Sequence, residues 1–150
     1  MRQARKNQSG VMLLEVLVAL LIFAFGVLGL VGMQAISIKL TADSKYRAEA
    51  AVYADQLISQ MWADDRTHLV LKGNYETSNP KYIAWRDQIQ AVGTGLPGAS
   101  GANAPTVTIV AEDLATPPVT NQVSVVTISI FWRAPEEAAA HKYVTVARLN

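Results

Sequence analysis

Residues 9–20, SGVMLLEVLVAL, open the stretch of sequence that decides the fold. They begin an apolar run from Val11 to Met33, twenty-three residues in which Glu15 is the only charged one. A helix needs about 20 apolar residues to cross a bilayer, so the run is long enough. A carboxylate inside a membrane is costly, although the cost is smaller near the end of a span. The sequence therefore predicts a membrane-spanning helix in which Glu15 requires an explanation.

The residues that precede the apolar run are basic. Arg2, Arg5 and Lys6 occur among the first ten positions without an acidic residue. Positive charges beside an apolar run stay in the cytoplasm, so the rest of the chain is expected on the outer side. A secretory signal peptide is the alternative, but its apolar core has about 7–15 residues and ends at a small-residue cleavage site. Here the run is longer, and the segment GMQA (32–35) has methionine where a small residue is needed. An uncleaved signal anchor fits the length but leaves Glu15 unexplained.

Composition limits the remaining function classes. A chain of 150 residues accommodates one domain of ordinary size. The net charge is +1 and no basic cluster follows the first ten residues, so nucleic acid is not an expected partner. The chain has no cysteine, which excludes disulfides, thiolate catalysis and cysteine-based zinc sites.

The helix is predicted to continue beyond the membrane. From Gln34 the sequence becomes polar, and no proline occurs before Pro80. Apolar residues then recur at spacings of three and four, the pattern of a surface helix that packs on a core: Ala50, Ala51, Ala54, Leu57, Ile58 and Met61. We expect one helix from Val11 to about Ala63, with a transmembrane half (11–33) and an amphipathic half (34–63).

Residues 64–150 are predicted to form a small α+β head. Pro80 marks the start of a short helix in NPKYIAWRDQIQAV (79–92), with an inward stripe of Ile83, Trp85, Ile89 and Val92. The glycine-rich segment 93–105 is expected to be a loop with little capacity to order itself. Strands are predicted in TVTIVAEDL (106–114), QVSVVTISIFWR (122–133) and KYVTVARL (142–149).

The second of these strands carries the clearest pattern. Its alternate apolar residues share one face, at a period of two: Val126, Ile128, Ile130 and Trp132. The eight-residue link 134–141 is short enough to connect it to the last strand as an antiparallel hairpin. Three or more strands packed against the helix stripe make an adequate core.

The side chains of the head that could take part in catalysis or metal binding do not form a recognisable site in the sequence. His68 and His141 are far apart in sequence and lack metal-ligand spacing, so each is expected at the surface. The adjacent carboxylates of Asp64 and Asp65 are expected to be solvated at a helix end. Trp62, Trp85 and Trp132 are interpreted as core or interface anchors. The serine of GASG (98–101) lacks the rest of a nucleophile elbow. We therefore expect no catalytic, metal or cofactor site, and no enzyme activity.

The N-terminus resembles a known signal. A basic leader ends in Gly10, an apolar helix begins at Val11, and glutamate is its fifth residue. This arrangement resembles the class III signal of type IV pilins and of the pseudopilins of type II secretion. The resemblance implies that a prepilin peptidase cleaves between Gly10 and Val11 and methylates the new amine of Val11, so that residues 1–10 are a cleaved leader. The family usually has phenylalanine at the first mature position, and valine departs from that pattern.

The resemblance also implies a fold and partners. It implies the type IV pilin fold, a long N-terminal helix packed on a small antiparallel sheet. The segments 13–34 and 53–61 are similar to those of minor pilins. The implied partners are other minor pilins and the major pilin through the N-terminal helix, the prepilin peptidase and the inner-membrane assembly platform. The implied location is the bacterial inner membrane, with a cytoplasmic N-terminus and a periplasmic head, and then the pilus fibre or its tip.

Two alternatives remain at this stage. One is a minor pseudopilin of a type II secretion system, which has the same architecture. The other is a single-pass inner-membrane protein whose outer domain is a periplasmic binding module or an enzyme. Against the latter stand the geometry of the leader and the absence of a recognisable site in the sequence.

Cleavage at Gly10 offers a partner for Glu15. The new amine at Val11 would be a cation at membrane depth, and a buried carboxylate is tolerated when it is paired. Residues four apart share a helix face, so Glu15 is able to pair with its own amine or with that of a neighbouring subunit. In a fibre, the second arrangement would set the register between subunits.

Three glycines interrupt the apolar run. Gly26, Gly29 and Gly32 are spaced by three, and each lowers helix stability by about 1 kcal/mol relative to alanine. They favour either close packing between membrane helices or local melting of the helix after the subunit leaves the bilayer. Proline often stands in major pilins where Gly32 stands here, and that resemblance implies local melting in assembled fibres. The sequence leaves both interpretations open.

Overall fold

A computed structural model describes residues 9–112, 123–135 and 137–150 of the chain. Their α+β layout is like that of the pilin fold, a long N-terminal helix packed on a small three-stranded antiparallel sheet. The elements in chain order are α1 (Ser9–Ala63), α2 (His68–Tyr75), α3 (Pro80–Ile89), a 3₁₀ turn (Gly101–Asn103), β1 (Thr106–Glu112), β2 (Val123–Trp132) and β3 (His141–Leu149). By contacts the chain divides into two compact units, Met1–Thr41 and Ala42–Asn150. Residues 1–8 of the predicted leader lie outside the described residues.

The predicted long helix is confirmed. Helix α1 ends at Ala63, as expected, and begins at Ser9, two residues before Val11. Its sequence explains the length, because it contains no proline and is rich in alanine and leucine, which have high helix propensity. Helix α1 begins within the predicted leader because neither Ser9 nor Gly10 prevents the backbone from entering a helix.

The second half of α1 supplies one side of the head's core. Ala50, Ala54, Leu57 and Met61 are all fully buried, which confirms the predicted stripe. The remaining core comes from the sheet, from α2 and α3, and from the segment 93–105.

The sheet has the order β1-β2-β3, and both pairings are antiparallel. Strand β2 is central, and its four predicted inward residues (Val126, Ile128, Ile130 and Trp132) are all buried. The hairpin between β2 and β3 is confirmed, with Ser124 opposite Leu149 and Trp132 opposite His141. His141 therefore belongs to β3, whereas the sequence placed it at the end of the link. Residues 113 and 114 of the first predicted strand and Gln122 of the second lie outside the described residues.

Helix α3 differs in detail from the prediction. It ends at Ile89, so Val92 lies beyond it and is fully exposed. Tyr82, Trp85 and Ile89 form the buried face, and Ile83 is exposed. Tyr82 precedes Trp85 by three residues and therefore shares its face, whereas Ile83 is turned away from it. The Trp85 indole donates a hydrogen bond to the Tyr53 carbonyl oxygen at 2.9 Å, which anchors α3 to α1.

Helix α2 and the order of segment 93–105 are not predicted by the sequence. In α2, Leu71 and Tyr75 point into the core. The segment 93–105 buries Leu96 and Ala99, contrary to the expectation of a loop unable to order itself. Its backbone is held by bonds from the Leu96 amide to the Ile89 carbonyl and from the Arg133 amide to the Pro97 carbonyl, each 2.8 Å long.

Candidate functional site

The N-terminal half of α1 is the most distinctive surface of the chain. Within the described residues, α1 is the one helix that is long and apolar enough to cross a membrane. The most apolar part of it has no buried residue. Every large apolar side chain from Val11 to Leu40 is exposed, and the exposed fraction reaches 73% at Val11. A soluble core helix would bury these side chains, so the exposure of this half of α1, together with its length, fits a helix that could span a membrane.

Glu15 lies on this apolar surface as an exposed side chain. Four residues separate it from Val11, so the two lie on one face of α1 about one turn apart. Gly26 follows Glu15 by eleven residues, which is about three turns of the helix. Gly26 therefore lies on nearly the same side of α1 as Glu15. The helical register thus aligns the predicted cleavage position, the carboxylate and the first glycine along one side of the helix.

The three glycines have open surroundings. A Cβ atom added at Gly26, Gly29 or Gly32 would meet no atom within 4 Å. Nothing in the described chain therefore requires a glycine at these positions, and α1 is helical through all three. Their surroundings leave both interpretations, close packing with other helices and local melting, as predictions.

His141 joins three elements of the head. Its Nε2 is 2.7 Å from the Glu137 carboxylate, and its Nδ1 is 3.5 Å from the Asp43 carboxylate on α1. The ring also stacks on Trp132, with 5.6 Å between centroids. The two carboxylates approach opposite ring nitrogens and do not converge on one point, so the arrangement links α1 to the sheet and is not a metal site. His141 is half-buried, whereas the sequence predicted a surface residue.

The end of α1 carries a second polar cluster. The Tyr75 hydroxyl and the Lys81 ammonium both donate hydrogen bonds to the Asp64 carboxylate. These bonds, that from Lys81 first, hold the pKa of Asp64 below its ordinary value of 3.8. Burial, reinforced by the bond to Asp64, raises the pKa of Tyr75. The bond to Asp64 also raises the pKa of Lys81.

Asp65 closes the turn between α1 and α2. Its carboxylate accepts hydrogen bonds from the Thr67 amide at 2.9 Å and from the Thr67 hydroxyl at 2.7 Å. These bonds, that from the hydroxyl first, lower the pKa of Asp65. Asp64 and Asp65 are therefore structural, and the prediction of two simply solvated carboxylates is refined. The two carboxylates bind different partners, Tyr75 and Lys81 for Asp64 and Thr67 for Asp65, and they do not converge on a common metal-ion position.

The other residues that sequence reasoning considered do not assemble into a catalytic site. His68 Nδ1 lies 3.0 Å from the hydroxyl of Ser124, but that serine is fully buried and is not placed to attack a substrate. Trp85 and Trp132 are in the core as predicted, whereas Trp62 is 45% exposed and lies beneath the Arg66 guanidinium. Among the described residues no group of three or more His, Asp or Glu has a metal-binding arrangement.

A cavity of about 430 Å³ lies between α1 and the turn after α3. Lys45, Tyr46 and Glu49 of α1 line it, together with residues 90–98. Lys45 and Glu49 form an exposed pair at 3.6 Å. This cavity is not predictable from the sequence, because the two groups of residues that line it are some 45 positions apart and belong to no motif.

Comparison of the chain with models of protein families, with curated proteins and with solved structures gives no match.

Proposed function

We propose that the chain is a minor pilin, a structural subunit that helps to initiate assembly of a type IV pilus or modifies it. The segments 13–34 and 53–61 resemble those of the type IV pilus modification protein PilV, so we place the chain with that kind of minor pilin. In this role it contributes to adhesion and twitching motility through the fibre, and it performs no enzymatic reaction. Its partners are other minor pilins, the major pilin, the prepilin peptidase and the inner-membrane assembly platform.

The main support for the proposal is that the two halves of α1 differ in burial. From Val11 to Leu40 its large apolar side chains are exposed, whereas Ala50, Ala54, Leu57 and Met61 are completely buried in the head. One continuous helix thus serves two environments, a folded head at one end and a nonpolar phase at the other. A subunit that waits in a membrane and then enters a helical fibre core needs both. This division, together with Gly10 and Glu15 at the spacing of a class III signal, favours a pilin over an ordinary membrane anchor.

The proposed route begins in the inner membrane. The basic residues Arg2, Arg5 and Lys6 remain in the cytoplasm, and the head enters the periplasm. Peptidase cleavage after Gly10 then exposes the Val11 amine beside Glu15. Pairing of Glu15 with this amine, or with that of a neighbour, neutralises two charges that are costly in a nonpolar medium. The subunit then leaves the bilayer for the fibre or its tip.

A minor pseudopilin of a type II secretion system is the second candidate, because it shares the signal, the long helix and the α+β layout. Deletion of the gene distinguishes the two. Loss of surface pili or of twitching, with protein secretion intact, supports the pilin. Loss of secretion with normal pili supports the pseudopilin.

A single-pass membrane protein with a periplasmic binding domain is the third candidate. The cavity beside Lys45 and Glu49 is the observation in its favour. This candidate predicts that the chain stays in the inner membrane and never enters a fibre fraction. Fractionation of sheared fibres from membranes separates it from the other two.

Processing at Gly10 tests the class to which the first two candidates belong. We expect the mature chain to start at Val11 with an N-methylated amine. Intact mass of the protein from sheared pili or purified membranes measures this directly. Gly10→Val should block cleavage, because a side chain crowds the backbone that the peptidase must hold extended. The variant should accumulate as a membrane-held precursor. A wild-type mass that retains residues 1–10 would overturn the class III assignment.

A further inference from the structure

The two outer edges of the head's sheet differ in how far other parts of the chain cover them. At the β1 edge, the Thr77 side chain receives a hydrogen bond from the Val107 amide at 3.0 Å, and the Thr77 amide donates to the Val107 carbonyl at 3.2 Å. The connection between α2 and α3 therefore covers part of that edge. At the other edge, β3 is paired with β2 on one side, and no further strand pairs with it in the described part of the chain.

The centre of strand β3 lacks the features that usually protect an edge strand. Its nine residues pair with β2 in an unbroken register, with no bulge. It contains no proline and no glycine, and its charged side chains, Lys142 and Arg148, lie near its two ends. Proteins normally prevent edge strands from pairing with other chains by short strands, bulges, prolines or charged side chains. The centre of β3, from Tyr143 to Ala147, has none of these.

The solvent-facing side chains of β3 define what a partner needs. Alternate residues share a face, which gives the outer sequence Lys142, Val144, Val146 and Arg148. Val144 and Val146 are 46% and 58% exposed. A strand added at this edge would place β-branched or apolar residues beside the two valines and acidic residues beside the two cations. Directly opposed pairs of this kind stabilise neighbouring strands.

Each of the two cations, Lys142 and Arg148, makes a contact within the sheet that a carboxylate of a partner could replace. Arg148 reaches the Glu112 carboxylate at 3.1 Å, but its side chain is 70% exposed. Lys142 lies 5.3 Å from the centroid of the Phe131 ring. Exposed ion pairs contribute little to stability, so an incoming carboxylate competes for these cations at small cost.

We propose that the free edge of β3 is a strand-addition site for an extended segment of another protein, with acidic residues at both ends of a β-branched centre. Main-chain hydrogen bonds provide the affinity in such complexes, and the alternate side chains provide the specificity. This inference stands apart from the proposed function, because it uses only the sheet and its charges.

A second copy of this chain is a poor partner for the same edge. Antiparallel pairing of two β3 strands over their full length, centred on Thr145, places Lys142 opposite Arg148 twice. Parallel pairing in register places each cation beside its own copy. Like charges in directly opposed positions are destabilising, so the charge pattern selects a different chain.

The test uses the full chain in detergent micelles and two labelled peptides. The first is Glu-Thr-Val-Thr-Val-Thr-Glu-amide with fluorescein on its N-terminal amine through a flexible glycine spacer, and the second has lysine in place of both glutamates and the same label. We expect binding of the glutamate peptide, measured by fluorescence polarisation, to be about fivefold or more tighter than that of the lysine peptide. Hydrogen exchange should show new protection of the β3 amides, and N-methylation of alternate peptide amides should abolish binding.

Charge reversal distinguishes strand addition from nonspecific attraction. The double variant Lys142→Glu and Arg148→Glu should reverse the order of the two peptides. A matched control, Lys45→Glu and Lys72→Glu, has the same change in net charge on exposed helix positions and should keep the wild-type order. Because the expected result is a reversed preference, loss of folding cannot imitate it. The proposal is overturned if neither peptide binds wild-type protein at about 1 mM, if both bind equally, or if protection appears away from β3.

Discussion

At the scale of single residues, Asp64 connects the helices of the head. It follows the last residue of α1, and it accepts hydrogen bonds from Tyr75 on α2 and Lys81 on α3. Lys81 also lies 5.1 Å from the centre of the Tyr75 ring. One carboxylate therefore holds three helices through two donors. The sequence suggested only two acids at a helix end, because the partners of Asp64 lie 11 and 17 positions away.

Asp64 should make the stability of the head sensitive to acid. Its pKa is lowered in the folded state, chiefly by the bond from Lys81, so its contribution to stability is present above the unfolded pKa and is lost as pH falls through the folded value. The relevant window lies below the ordinary value of 3.8. We expect Asp64→Asn to lower the Tm by a few degrees at pH 7. The difference in Tm between the variant and wild type should shrink as pH falls through that window. Thermal melts followed by tryptophan fluorescence measure it.

Asp87→Asn is the matched control for this experiment. Asp87 is more exposed than Asp64 and pairs with the adjacent Arg86 at 2.6 Å on the same helix, so it joins no separate elements. Its substitution should change the Tm little at any pH. Equal effects of the two substitutions at pH 7 would contradict the role assigned to Asp64.

Glu15 is the residue on which assembly is expected to depend. If it pairs with a processed amine, Glu15→Ala leaves that amine unpaired in a nonpolar environment. Cleavage should persist, because the bond at Gly10 is unchanged, whereas incorporation into complexes with other minor pilins should fall severalfold. Glu15→Gln should be milder than Glu15→Lys, which sets two positive charges against each other. Co-purification, with a blot that separates precursor from mature chain, measures both steps. Full incorporation of Glu15→Lys after normal cleavage would exclude the pairing.

At the scale of elements, the long periodic patterns were predictable and the short irregular ones were not. The stripe of α1 and the alternation in β2 repeat often enough to identify the buried face from residue type alone. Helix α2 has eight residues and contains Gly73, so it offers two turns and few apolar repeats. In α3 the buried neighbour of Trp85 is Tyr82 rather than Ile83, because a helix places residues three apart on one face. Apolar character alone favoured isoleucine, but the Tyr82 hydroxyl donates a hydrogen bond to the Pro105 carbonyl oxygen, which allows tyrosine inside.

The turn after α3 shows why a glycine-rich segment can be ordered. At Gly95 a Cβ atom would lie 2.1 Å from the carbonyl oxygen of Ile89, so the backbone approaches α3 more closely than any side chain allows. This approach permits the bond from the Leu96 amide to Ile89 and brings Leu96 into the core. Composition alone cannot reveal it, since it depends on the end of a neighbouring helix. The same turn forms part of the lining of the cavity beside α1.

Gly95→Ala should therefore destabilise the head. Forcing a methyl group into a closely packed contact typically costs about 1–3 kcal/mol, and here the obstructing atoms belong to the backbone. Gly73→Ala is the control, because a Cβ there meets nothing within 4 Å and alanine favours a helix. We expect Gly95→Ala to lower the free energy of unfolding and Gly73→Ala to leave it unchanged or raise it. Chemical denaturation measures both, and equal stabilities of the two variants would contradict the close approach at Gly95.

At the scale of the whole molecule, the chain combines a self-contained head with a helix half that buries nothing. The buried core residues all lie between Ala50 and Leu149, within the compact unit Ala42–Asn150. Positions such as Val11 and Glu15 are exposed in α1, and the helix they belong to is long and apolar enough to span a membrane. The sequence could predict this division because hydropathy changes sharply near Gln34. The contacts proposed for the exposed half, with lipid or with other subunits, lie outside the single chain and cannot be predicted from it.

This division predicts that the head folds without the apolar half of the helix. Deletion of residues 1–34 removes most of the exposed run, leaving Ile36, Ile38 and Leu40. It keeps the stripe from Ala50 to Met61, so the apolar area buried in the core is retained. We expect a soluble α+β protein with a cooperative thermal transition, measured by circular dichroism. Deletion of residues 1–55 is the control, because it also removes Ala50 and Ala54 and exposes the inner face of the sheet. That product should aggregate or unfold without cooperativity. If the shorter deletion behaves in the same way, the core requires partner subunits, and the head is a folding unit only within an assembly.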